Sequence, residues 1–95
     1  MTDKTIRVFD PRGHVFMQER SLAARPASLD GLRPGILENR KPNVRLLLTA
    51  MVEELRQQAD LGELVIADKP IAGPPSRRVM EQLRDRDFVL VGSAD

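Results

Sequence analysis

Gly35-Ile36-Leu37-Glu38-Asn39-Arg40-Lys41-Pro42-Asn43 runs directly into Val44-Arg45-Leu46-Leu47-Leu48-Thr49-Ala50-Met51-Val52-Glu53-Glu54-Leu55, and this junction decides the fold. The short apolar run stops at a polar one, as a buried strand does on leaving a sheet, so residues 33 to 38 are read as a strand. From Val44 onward the apolar positions Val44, Leu47, Leu48, Met51, Val52 and Leu55 recur at helical spacing. That pattern predicts an amphipathic helix over 44–59. Asn43 stands at its start, where a side-chain oxygen can accept an amide hydrogen of the first turn.

Toward the C-terminus, Gly62 interrupts and Glu63-Leu64-Val65-Ile66-Ala67 has the β-branched character of a second buried strand. The loop Asp68-Lys69-Pro70-Ile71-Ala72-Gly73-Pro74-Pro75 is stiffened by its prolines, and Ser76 is placed to cap a second helix over 77–86. Val79, Met80 and Leu83 form the inner face of that helix. Phe88-Val89-Leu90-Val91 is a third apolar strand, followed by Gly92-Ser93-Ala94-Asp95. Strands alternating with helices pair in parallel through right-handed crossovers. The expected fold is therefore α/β: a three-stranded parallel β-α-β-α-β half of a doubly wound, Rossmann- or flavodoxin-like sheet over 33–95. With the first strand central, a topological switch point falls between residues 33–38 and 88–91. The loops at both carboxyl ends then meet in one crevice.

Toward the N-terminus the pattern weakens. Thr5-Ile6-Arg7-Val8-Phe9 begins as polar-apolar alternation, and Asp10-Pro11-Arg12-Gly13 has turn chemistry before a short run from His14 to Met17. This predicts an N-terminal β-arm or hairpin. Residues 18 to 30 show little periodicity and include Pro26, so residues 1–32 are read as arm and connector.

Composition narrows the function. Fifteen Lys and Arg against 14 Asp and Glu leave a net charge of +1, which gives no electrostatic basis for binding nucleic acid or an anionic membrane. The arginines 77, 78, 84 and 86 are interleaved with Glu81, Asp85 and Asp87, as on a solvated face. No cysteine occurs and His14 is the single histidine, so thiol catalysis, disulfides and a transition-metal site are not expected, nor is a cofactor. No apolar run has the length of a membrane span or a secretory signal, and the cytoplasm is the expected location.

The crevice is where chemistry can gather. Asn39-Arg40-Lys41-Pro42-Asn43 sets amides and cations just before a helix N-terminus, a suitable place for a carboxylate or other small anion. A capped helix start with solvated charges explains the same residues. Lys69-Pro70 follows a neighbouring strand and offers one wall, or else a rigid surface turn. Ser93 and Asp95 add a hydroxyl and a carboxylate, but a serine-type triad lacks a nearby histidine. The candidate substrate-binding residues are thus Asn39, Lys41, Asn43, Lys69, Ser93 and Asp95, with no catalytic residue among them. An uncovered strand at the sheet edge also calls for a partner subunit or a second copy.

Asp10-Pro11-Arg12-Gly13, Ser28-Leu29-Asp30-Gly31, Asn39-Arg40-Lys41-Pro42-Asn43, Lys69-Pro70 and Gly92-Ser93-Ala94-Asp95, in that order, resemble the UGSC family. That family is similar to the substrate-reducing selenoproteins of the glycine, sarcosine and D-proline reductase type, and is named for its Sec/Cys-Gly-Ser-Cys motif. The motif follows a Gly-x-x-Asp-like turn, which residues 92 to 95 match in position. The resemblance implies a redox residue just beyond Asp95, facing Asn39, Lys41 and Asn43. Lys41 would then stabilise an anionic substrate or selenolate, Asn39 and Asn43 would orient it, and Asp95 would mark the entrance to the redox turn. The chain stops at Asp95. The expectation is therefore the N-terminal portion of a UGSC-like reductase, ended where a selenocysteine codon is read as a stop, or a small subunit of one. A stand-alone non-catalytic module for small-ligand binding or protein interaction is the other reading.

Overall fold

The computed structural model describes residues 4–15 and 19–94. Its elements follow the expected order: β1 (Pro34–Glu38), α1 (Val44–Arg56), β2 (Val65–Asp68), α2 (Arg77–Leu83) and β3 (Phe88–Gly92). All three strands are parallel in one open sheet of order β2-β1-β3, an α/β fold with the first strand in the centre.

The strand pleat divides the apolar residues between two faces. Ile36, in register with Ile66 and Leu90, lies under α1 with Val44, Leu48, Val52 and Leu61. Leu37 and Ala67 point the other way and pack with Leu83 of α2. β1 also holds Gly35, where an added Cβ would come within 3.0 Å of the Arg86 stem and 3.1 Å of Leu83. A side chain there would push α2 and β3 away from β1.

Both helices stop three residues short of their expected ends, for a shared reason: the chain is pulled back toward the start of β1. Beyond α1, Gly31 donates to the Asp60 carbonyl (2.7 Å) and the Asp60 amide donates to Oδ1 of Asp30 (2.8 Å). Arg56 closes the same turn by donating to the carbonyls of Leu61 and Gly62 at 2.9 and 3.0 Å. Beyond α2, the Asp87 amide donates to the Arg33 carbonyl (2.9 Å), and Oδ2 of Asp87 accepts from the Arg33 amide (2.7 Å).

The expected N-terminal β-arm or hairpin is corrected. Residues 5 to 9 pair with no strand, and neither do His14 and Val15; Phe16 and Met17 lie outside the described residues. Ile6, Val8 and Phe9 are exposed, and a two-stranded hairpin without a surface to bury such residues is marginal in water. The helix stripe is narrower than its periodicity suggested: Leu47, Met51 and, on α2, Met80 are largely exposed, because a three-stranded sheet covers only part of each apolar face. Among the described residues no helix is long and apolar enough to cross a membrane.

Candidate functional site

The strands end level. Glu38 is in register with Asp68 on one side and Gly92 on the other, so the loops that leave them start at one height. Past Glu38 the chain divides its contacts between its two neighbours.

Asn39 turns to β3. Its backbone amide donates to the Gly92 carbonyl (3.1 Å), its Nδ2 donates to the Ser93 carbonyl (2.7 Å), and its Oδ1 accepts from the Ser93 amide (3.0 Å). The side chain is buried, and this clasp satisfies both ends of its amide. The Gly92–Ser93 peptide is cis.

Arg40 turns to β2. The buried Glu38 carboxylate accepts from the Arg40 amide at 2.6 Å, holding Arg40 at φ 62°, in the left-handed region. From there Nε of Arg40 donates to Oδ2 of Asp68 at 2.8 Å, in a pair that is about half exposed. That hydrogen bond first, and the guanidinium charge second, hold the Asp68 carboxyl below its ordinary value of 3.8.

On the Asn39 side lies a hollow of about 250 Å³ lined by Asn39, Lys69, Val91, Gly92, Ser93 and Ala94. Lys69 is half-buried in its wall, with Nζ donating to the Pro70 carbonyl at 2.8 Å. An ammonium has three donors, so an anion entering the hollow can share it. Asn39, Lys69 and Ser93, singled out from sequence, are thus brought together. Lys41 and Asn43 are not among the residues lining this hollow. Lys41 sits in the turn, its carbonyl accepting from the Val44 amide (3.3 Å). Asp95 lies outside the described residues.

The expected side-chain cap by Asn43 is corrected. Asn43 adopts φ 66°, ψ −1° and makes no side-chain cap bond, although its carbonyl accepts from the Leu47 amide (2.9 Å). A capping side chain reaches the first-turn amides from an extended backbone, which the left-handed turn denies. Ser76 meets that requirement: at φ −67°, ψ 161° its hydroxyl accepts from the Val79 amide at 3.2 Å.

Sequence reasoning passed over Glu38 and Asp68. The usable signal was a carboxylate closing each of two adjacent apolar strands, beside the paired cations of the loop. Together with Pro70, Ser76, Arg78, Val79 and Gln82, Arg40 and Asp68 line a second hollow of about 410 Å³ on the β2 side.

Chemically, the Asn39 side gathers polar groups around a small hollow. It offers an ammonium, a hydroxyl and a backbone wall held by the Asn39 clasp. His14 lies in the exposed arm, and no cluster of metal-ligating side chains occurs among the described residues. The sequence matches the UGSC family over residues 7–95, a span that includes every strand and helix and both corners of the site. The chain belongs to the UGSC family. No curated protein and no solved structure matches this UGSC chain.

Proposed function

We propose that this UGSC chain supplies half of a substrate pocket in a reductase-type protein, receiving a small carboxylate or other anion at the carboxyl ends of β1 and β3. The observation that supports this reading is the single hollow shared by Asn39, Lys69 and Ser93. Lys69 provides the charge, the Ser93 hydroxyl a second donor, and Asn39 holds the wall in place. Lys41 and Asn43 belong to the loop that follows β1 and would meet an anionic substrate or selenolate there, and Asp95 is assigned the entrance to the redox turn from its place in the sequence alone. The 95 residues contain no cysteine, so the redox-active sulfur or selenium belongs to another polypeptide segment. In this reading the protein works in the cytoplasm, within an assembly formed along the open sheet edge.

A titration of the full chain with acetate, and separately with phosphate, tests the pocket. Saturable amide shifts at Asn39, Lys69 and Ser93, with a rise in Tm by linkage, are expected; Lys69→Met should abolish both while leaving the ligand-free Tm in place. No response at millimolar anion, or shifts scattered over surface arginines, overturns it. If the anion binds but no Sec- or Cys-containing polypeptide co-purifies with the chain, the stand-alone non-catalytic module is the correct reading.

A further inference from the structure

Two apolar surfaces of this molecule stand without partners, and their patterns fit each other. β3 pairs only with β1, so among the described residues its outer edge is open. Beside that edge, on the α2 face, a groove of about 320 Å³ is lined by Leu37, Met80, Leu83, Arg84, Val89 and Val91. Val91 is 67% exposed and Met80 51%. The second surface is the arm, where Ile6, Val8 and Phe9 are 85%, 78% and 100% exposed.

We infer that residues 5–9 of one copy add as a strand to the β3 edge of a second copy, in a reciprocal arm exchange. Period-two alternation decides the fit. With Ile6 and Val8 over the groove, beside Val89 and Val91, the residues Thr5, Arg7 and Phe9 fall on the opposite face, next to the half-buried Phe88 and Leu90. Arg7 is thereby kept away from Arg84 at the groove, and Phe9 gains an apolar neighbour. A one-residue slip would reverse both relations.

The occupant is a second copy because the arm of each molecule stands off its own sheet. The radius of gyration is 20.8 Å, against about 12 Å for a compact chain of this length. Exchange about a two-fold axis fills both grooves with one contact type and closes both β3 edges, removing a template for open-ended pairing.

Sedimentation of the full chain, from micromolar to hundreds of micromolar, and filtered NMR on a mixture of labelled and unlabelled protein test this. A dimer is expected, with intermolecular methyl contacts from Ile6 and Val8 to Val89 and Val91. The double variant Ile6→Asp, Val8→Asp should be monomeric with the sheet still folded, since neither residue belongs to the core. Arg7→Ala should remain dimeric, and Val91→Asp should break the dimer from the other side. A monomer throughout, a dimer that survives the arm double variant, or arm contacts confined to one molecule would each overturn the proposal.

Discussion

At the end of β1, consecutive residues build two corners of opposite character. Toward β3, Asn39 makes a buried, uncharged clasp with the backbone of Ser93; toward β2, Arg40 makes a half-exposed ion pair with Asp68. The first exchanges water for two well-placed partners in a desolvated site, where losing one partner strands the other. The second joins groups that water already solvates, so its formation changes little. Each corner borders a hollow, about 250 Å³ beside the clasp and about 410 Å³ beside the ion pair, and only the first lies against a corner whose geometry is enforced by buried hydrogen bonds.

Cutting the clasp should have the largest effect. Asn39→Ala leaves the Ser93 amide and carbonyl without their partner, and a loss of about 2 kcal/mol is expected, read as a fall in Tm of about 10 °C. Glu38→Ala follows, at about 1.5 kcal/mol by denaturant unfolding, because the Arg40 amide loses its acceptor; Glu38→Gln should recover most of it. At Arg40 the strained backbone outweighs the ion pair. Arg40→Gly should be more stable than Arg40→Ala by about 1 kcal/mol, since both lose the guanidinium and only glycine occupies φ 62° freely. If alanine is as stable as glycine, the left-handed turn is absent in solution.

The smallest effect belongs to Asp68. Its carboxyl is lowered from 3.8 by Arg40, so the stabilisation is complete above that value and is lost as pH falls through the lowered one. Asp68→Asn should remove this contribution, leaving a barely altered Tm at neutral pH, and the residual difference should vanish at high salt. A carboxyl midpoint at or above 3.8, followed by NMR, would contradict the pair.

Periodicity made the three strands and both helices legible, because each is an apolar pattern that only burial explains, and the central place of β1 followed from the commonest strand order for such units. Asn39, Lys69 and Ser93 were legible as neighbours because all three follow strand ends, and parallel pairing levels those ends. Asn43 misled for the opposite reason: the residue type favours a cap, but it also tolerates left-handed backbone, and the loop from Arg40 selects the second property. Leu47, Met51 and Met80 were legible as apolar but not as exposed, since sequence does not state how wide a sheet the helices have to cover. The arm showed a strand pattern with no partner, and a strand without one is only a propensity. Glu38 and Asp68 escaped because their role rests on alignment across β1 and β2, which is fixed by register and not by local sequence.

The sheet order has a consequence for how the protein is made. β1 is synthesised first yet sits in the middle, and its contacts with β3 join residues 54 positions apart, as between Asn39 and Ser93. A nascent chain that has delivered β1, α1 and β2 can assemble the Ile36 side of the sheet, while Leu37 and Ala67 wait uncovered for Leu83. Pairing β3 with β1 closes the longest loop between paired strands of this sheet, the slow step for a topology of distant pairings. Until β3 leaves the ribosome, the growing chain carries a bare apolar flank and a central strand paired on one side only, and this interval exposes it to aggregation.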